Sequence, residues 1–226
     1  MASAKAFLAA VAGRFLFRHG EVKRVEQLSE HFVRIDVAGK ELEGASFVPG
    51  DKVQVFLQGD MRTYTPITWE GDRTWFLGFV HGEGPGGRWV REVKQGDAVA
   101  FFGPRGSIDV SSERGPLVVV GDETSLALVV SLTRANRGRQ VMALLEAASP
   151  DETREVGRTL ELTQLTVTAR GQLLAPLVVQ LELGAVPIFT GCAATIQVLK
   201  QQLRAQKRSA EGKTKAYWAE GKRGID

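Results

Sequence analysis

Arg62-Thr63-Tyr64-Thr65-Pro66 sets a permanent cation, a flat aromatic ring and a hydroxyl side by side next to strand-like sequence. The guanidinium is a fork-shaped donor suited to pyrophosphate. Tyr64 can lie against a ring system while its hydroxyl bonds to an oxygen, Thr65 can donate to a ring nitrogen or oxygen, and Pro66 fixes the backbone direction. Phosphate neutralisation, a stacking surface and a donor are what a flavin dinucleotide requires. An exposed strand ending in a proline turn would carry the same residues.

Three later segments add weight. His81-Gly82-Glu83-Gly84-Pro85-Gly86-Gly87-Arg88-Trp89 holds glycines that let a backbone approach a ligand and turn its N–H groups toward a phosphate. Gly86 and Gly87 are the expected contacts. His81 either bonds to the cofactor or holds the loop, and Trp89 either anchors the turn or meets the ligand. Gly103-Pro104-Arg105-Gly106 is a tight turn, and Gly121-Asp122-Glu123-Thr124 follows an apolar run. Asp122 and Thr124 can cap a helix or bond to a flavin or sugar edge. Gly191-Cys192-Ala193-Ala194 repeats that arrangement with small residues, and Cys192 is a nicotinamide contact or a buried hydrophobe.

Those residues need elements to position them. From about 21 to 110, short stretches rich in Val, Phe and Ile alternate with turns such as Pro49-Gly50-Asp51 and Gly96-Asp97, the pattern of a small antiparallel barrel. After Gly115-Pro116 the period changes. Leu117–Val120 reads as a strand covered on both faces, followed by a helix through about Arg134, a strand Gln140–Leu145 and a polar loop through Asp151 and Glu152. One or two strands are expected within Leu160–Ala169, a helix over Leu173–Glu182, a strand over Val186–Thr190 and a helix over Ala193–Lys207. This is a doubly wound α/β order. The expected division is an N-terminal helical segment at 1–19, a β-barrel FAD-binding domain at 20–112 and an α/β NAD(P)H-binding domain with a C-terminal tail at 113–226. The apolar run in 6–12 suits a helix packed on the protein or a surface contact and is too short to span a bilayer.

Bulk composition sets limits. The 226 residues, 43% hydrophobic and 24% charged, are ordinary for globular domains. A net charge of +3 is too small to argue for nucleic acid and suits an anionic cofactor. A single cysteine excludes an intrachain disulfide and a thiolate cluster, and three dispersed histidines give no metal spacing. A reducing, cytoplasmic setting is expected, with no stable membrane insertion. The oligomeric state is open, with a monomer the simplest expectation.

The ordered set resembles the siderophore-interacting protein family, FAD-dependent ferric-siderophore reductases within the ferredoxin–NADP reductase-like superfamily. Arg62, Tyr64 and Thr65 match its Arg-x-Tyr-Thr motif, and His81-Gly82 and Gly84–Trp89 its loop. Gly103–Gly106, Gly121–Thr124 and the tail Tyr217-Trp218-Ala219-Glu220-Gly221 match its further signatures. Ile67 stands where an arginine is frequent, Gly87 replaces a loop serine, and the tail arginines are displaced to Lys222 and Arg223. The resemblance implies FAD held by Arg62, Tyr64, Thr65, His81, Gly86, Gly87, Trp89, Asp122, Thr124 and Trp218, with NADPH or NADH as donor. It also implies a ferric siderophore or other ferric chelate as acceptor, and neither a catalytic acid or base nor a protein metal ligand. Another flavin reductase or electron-transfer flavoprotein, or a non-enzymatic ligand-binding module, would use the same fold. Arg134, Arg137 and Arg139 are candidates for meeting an NADPH 2′-phosphate.

Overall fold

The computed structural model describes residues 17–57, 60–136 and 138–222. Most of the expected N-terminal helical segment therefore lies outside the described residues, and its last three positions, Phe17 to His19, belong to a strand. That strand, β1 (Phe17–Gln27), runs with β2 (Phe32–Ala38), β3 (Lys52–Leu57), β4 (Asp60–Tyr64), β5 (Pro66–Glu70), β6 (Arg73–Phe79) and β7 (Ala98–Arg105). They form an antiparallel sheet in the order β4-β3-β7-β1-β2-β6-β5. Its end strands are consecutive in sequence, joined at Thr65, and the sheet rolls around one core. Tyr64 of β4 and Trp69 of β5 both reach that core, 6.2 Å from the Phe76 ring and 5.9 Å from the Phe101 ring respectively. A short helix, α1 (Pro85–Glu92), follows β6 and seals the core with Val90.

The second sheet is wholly parallel, in the order β10-β9-β8-β11-β12. Its strands are β8 (Leu117–Asp122), β9 (Val141–Ala147), β10 (Leu165–Ala169), β11 (Val186–Cys192) and β12 (Lys213–Trp218). Four helices cross between them: α2 (Leu126–Ala135), α3 (Pro150–Thr159), α4 (Leu174–Glu182) and α5 (Ala193–Ala205). Alternation along β8 divides the packing. Leu117 and Val119 face α2 and α3, whereas Val118 and Val120 face α4 and α5. This is the expected two-domain architecture, with helices on both faces of the second sheet.

Two regions differ from the sequence reading. Residues 150–159 form α3 rather than a polar loop. Pro150 occupies the first turn, Asp151 and Glu152 oppose the helix dipole there, and Thr153 Oγ1 donates to Ser149 O at 3.1 Å. Only Thr153, Val156 and Gly157 of this helix are buried, so its apolar stripe is too thin to announce a period. Strand β10 is correspondingly confined to Leu165–Ala169. Strand β5 also goes beyond that reading.

The domains meet over an apolar surface. Every residue of α2 from Leu126 to Leu132 is buried, because the helix lies between the parallel sheet and barrel residues Phe32, Ile67, Trp75 and Leu77. A polar clamp stands beside it. Glu152 of α3 accepts from Ser29 Oγ (2.6 Å) and from His31 N (2.8 Å), and its other oxygen lies 3.0 Å from His31 Nδ1. Burial raises the Glu152 pKa, but the hydrogen bonds from Ser29 and His31 outweigh it and the net shift is downward. A depressed carboxylate stabilises the fold above its unfolded pKa and loses that contribution as pH falls through the folded value. Glu152→Gln is therefore expected to lower stability at pH 7, and its difference from wild type should shrink below about pH 4. Paired urea melts at pH 7 and pH 3.5 check this. An equal loss at both values would show that the charge contributes nothing.

Candidate functional site

The carboxyl ends of the parallel strands face the β4–β5 end of the barrel, and a cleft of about 470 Å³ lies between them. A larger hollow of about 660 Å³ surrounds the amino ends of β11 and β12, on the opposite edge from where ligands enter such sheets. The cleft therefore takes precedence. Seven of the ten expected contacts line it: Arg62, Tyr64, Thr65, His81, Gly86, Thr124 and Trp218. Gly87, Trp89 and Asp122 stand behind its wall.

Strand β4 presents Arg62 and Tyr64. Arg62 Nη1 donates to Met61 O at 2.7 Å and lies 3.4 Å from Asp60 Oδ1. The Tyr64 ring packs edge-on to Trp89, with centroids 5.1 Å apart, and its hydroxyl is 3.5 Å from Gly86 O. Burial pushes the phenol pKa up, with the Arg62 charge opposing. Trp89 thus anchors Tyr64 from the core side. Gly87 serves approach rather than contact. A Cβ there would sit 2.8 Å from His81 O and 2.9 Å from Gly82 O, so only glycine lets the first turn of α1 close on that backbone. His81 stands between two rings, its centroid 6.0 Å from Phe79 and 6.5 Å from Trp218. Desolvation lowers its pKa, with Asp122 and Glu123 pulling the other way, which favours the neutral ring at pH 7.

The opposite wall comes from β12. Its pairing with β11 slips by one residue: Gly191 opposes Ala216 and Cys192 opposes Trp218, leaving Tyr217 extra. Strict alternation would send Trp218 to the face of Thr214 and Ala216. The bulge re-aims it, so that Tyr217 and Trp218 both line the cleft. The Tyr217 hydroxyl shares a hydrogen bond with Thr65, which joins the domains across the cleft, and burial raises its pKa.

Asp122 organises the ground behind Trp218. It is 1% exposed, and its carboxylate meets four donors. Oδ1 accepts from Thr124 N (3.0 Å) and Thr124 Oγ1, and Oδ2 from Cys192 N and Trp218 Nε1, both at 2.8 Å. Burial outweighs the hydrogen bonds, so the net pKa shift is upward, while donors on both oxygens oppose it. Gly191, at φ +87°, makes room: a Cβ there would lie 2.6–2.8 Å from the Asp122 carboxylate atoms. Beside it Glu123, buried, accepts from Ala148 N (2.7 Å) and from Arg170 Nη2 (2.9 Å), and Arg170 is also 3.7 Å from Glu146.

Sequence reasoning left Arg88, Glu123, Lys215, Tyr217 and Lys222 outside the site, although all line the cleft. The loop motif contains Arg88, the Gly121–Thr124 motif Glu123, and the tail Lys215, Tyr217 and Lys222, without singling them out as contacts. Arg134 and Arg139 do not reach it. Arg134 lies 5.3 Å over the Trp75 ring, and Arg139 donates to Gly115 O and Val110 O near the amino ends of β8 and β9; Arg137 falls outside the described residues. Cys192 is a buried free thiol where β11 meets α5. No group of side chains among the described residues could hold a metal ion, and no described helix is long and apolar enough to cross a membrane.

Fold and cleft together are those of a two-domain chain, a rolled antiparallel sheet followed by a doubly wound parallel sheet with a cleft between them. Residues 58–108 match the model of the siderophore-interacting FAD-binding domain. Among solved structures, a siderophore utilization protein from T. fusca is similar at 21% identity and TM-score 0.70, with 93% of this chain and 95% of that one covered. The siderophore-interacting protein SipS from Aeromonas hydrophila is similar at 22% identity and TM-score 0.71, covering 92% and 93%. Phthalate dioxygenase reductase shares the fold at 13% identity and TM-score 0.71, covering 92% and 70%. No curated protein matches the chain.

Gly87→Ala is expected to destabilise the protein by about 1–3 kcal/mol, because the new Cβ meets backbone that cannot swing aside. Urea denaturation checks this, and an unchanged midpoint would show that the first turn of α1 can give way.

Proposed function

We propose that the protein is an FAD-dependent reductase that uses NAD(P)H to reduce a ferric chelate, a ferric siderophore in particular, and so releases Fe(II). The observation that carries this reading is the cleft itself: Arg62 and Tyr64 on one wall, Trp218 on the other, and cations around them. Arg62, Arg88, Lys215 and Lys222 line it against Glu83 and Glu123, and Arg170 already neutralises Glu123. Such an excess suits a pyrophosphate and an anionic acceptor.

The residues present fit FAD. Arg62 supplies the fixed positive charge for its pyrophosphate. Gly86 and Gly87 bring the amino end of α1 close to that charge, where backbone N–H groups favour anions. Tyr64 and Thr65 offer hydroxyls, although Thr65 shares its own with Tyr217. Trp89 acts through Tyr64, and Thr124 lines the cleft beside Ala127. His81, favoured as the neutral ring, can donate or accept a hydrogen bond without adding charge. A bound FAD supplies the conversion of a two-electron hydride into single-electron transfers, and the protein positions the reactants. The iron is substrate and arrives with its own ligands. Ferrous iron is held less tightly than ferric by hard oxygen donors, so reduction frees it. A reductase handing electrons to another acceptor is the second reading, favoured by the likeness to phthalate dioxygenase reductase.

Two measurements test the proposal. Arg62→Ala should weaken FAD binding about 10–100-fold, as expected for losing a charge-assisted contact, with Arg62→Lys between the two. Fluorescence titration reads this, and wild-type affinity in the alanine variant would remove Arg62 from the site. Visible spectra under anaerobic conditions address the activity. Flavin bands should bleach with NADH or NADPH and recover on adding a ferric-catecholate chelate as Fe(II) forms. Bands that bleach and then ignore the chelate would give the second reading the advantage.

A further inference from the structure

The proposed function accounts for the residues that face the cleft but leaves one buried group without a task. Asp122 is 1% exposed and absent from the cleft wall, yet its Oδ2 receives the indole N–H of Trp218 at 2.8 Å. That bond spans 96 positions of sequence. It joins the end of β8, the innermost strand, to the end of β12, an edge strand whose tip has hydrogen-bonded neighbours on one side only. The same oxygen takes the Cys192 N–H from the end of β11. Three neighbouring strand ends are therefore tied to one carboxylate, and the bulge at Tyr217 turns Trp218 toward it.

We propose that Asp122 is a positioning residue for the flavin cleft: it fixes the orientation of the Trp218 ring, and hence one aromatic wall, without touching the cofactor. Two features set this apart from general support of the fold. A tryptophan ring at the end of an edge strand has little packing to define its rotamer, so a directed bond decides it. The acceptor is also buried, so the bond does not compete with bulk water. His81, whose ring centroid is 6.5 Å from Trp218, lies against the wall so held. The inference rests on the reading that FAD occupies this cleft.

The test uses the full-length protein with Trp218→Phe, which keeps a ring and deletes the N–H, Asp122→Asn, which keeps the size and deletes the charge, and the double variant. FAD dissociation constants and the visible circular dichroism of bound flavin are read for each. Each single variant is expected to weaken FAD binding about tenfold, the scale of one charge-assisted bond, and to alter the flavin dichroism. The double variant should be no worse than the poorer single one, because both remove the same interaction. Additive losses, or a Trp218→Phe protein with wild-type affinity and dichroism, would overturn the proposal. Should Asp122→Asn fail to fold, a Trp218→Phe protein with wild-type affinity and dichroism still overturns the proposal. The indole ¹H–¹⁵N resonance of Trp218, identified by its loss in Trp218→Phe, gives a readout in cofactor-free protein. It should shift in Asp122→Asn, and an unmoved resonance overturns the pinning. Wild-type protein that takes up no FAD would instead overturn the flavin reading, so the two failures are distinguishable.

Discussion

A carboxylate buried among strand ends is costly unless its lone pairs are filled, and the carboxyl edge of the second sheet is arranged to fill those of Asp122. Two donors come from Thr124 at the start of the following helical turn, one from the backbone where β11 enters α5, and one from the indole of the last strand. The positive φ of Gly191 is a condition of that arrangement, since any side chain there would occupy the space of the carboxylate. Three strand ends of the cleft's second-domain wall are tied to this one carboxyl group. Its neighbour Glu123 repeats the logic with Arg170 and the Ala148 amide, extending the ordered edge toward β9 and β10.

The first-domain wall is set by different means. No buried charge organises it. Aromatic rings do, from Phe101 through Phe76 to Tyr64 and Trp89, with centroid separations of 5.1–6.2 Å. Packing of this kind locks Tyr64 from behind and leaves Arg62 at the surface of the cleft. The two walls then meet through few polar contacts: Thr65 with Tyr217 near the ligand, and Ser29 and His31 with Glu152 further out. A rigid aromatic face and a rigid polar edge, joined by small bridges, suit a site that must orient a large cofactor.

Much of this was legible in the sequence because the informative residues are local. Arg62, Tyr64 and Thr65 fall at one strand end and its junction, and the glycine run at 82–87, in which Gly87 makes the tight approach, is continuous in sequence, so both were readable as candidate site elements. The apolar run Leu117–Val120 similarly announced a strand covered on both faces. What escaped notice depends on distance or on faint signals. Helix α3 buries three residues and reads as polar, so neither the helix nor the role of Glu152 was visible. Asp122 reads as a helix cap or a ligand contact; it is the cap, accepting from Thr124 N, and its remaining partners come from elements up to 96 residues away. Tyr217 is announced by the tail signature, and strand order brings it and Lys215 to the cleft. Arg134 and Arg139 read equally as 2′-phosphate contacts or as helix-end charges, because composition identifies a cation but not the end of the sheet it decorates.

Helix α2 carries a consequence for the molecule as a whole. Its apolar surface is shared between two cores, one face against the parallel sheet and the other against Phe32, Ile67, Trp75 and Leu77 of the barrel. A chain cut between the sheets would leave each half with a raw hydrophobic surface, and neither could replace what it lost. The two domains are separate in topology yet share one continuous apolar cluster. Recombination that borrowed only the first domain, or only the second, would have to bring a matching α2 surface with it, so the smallest inheritable piece of this architecture is the pair.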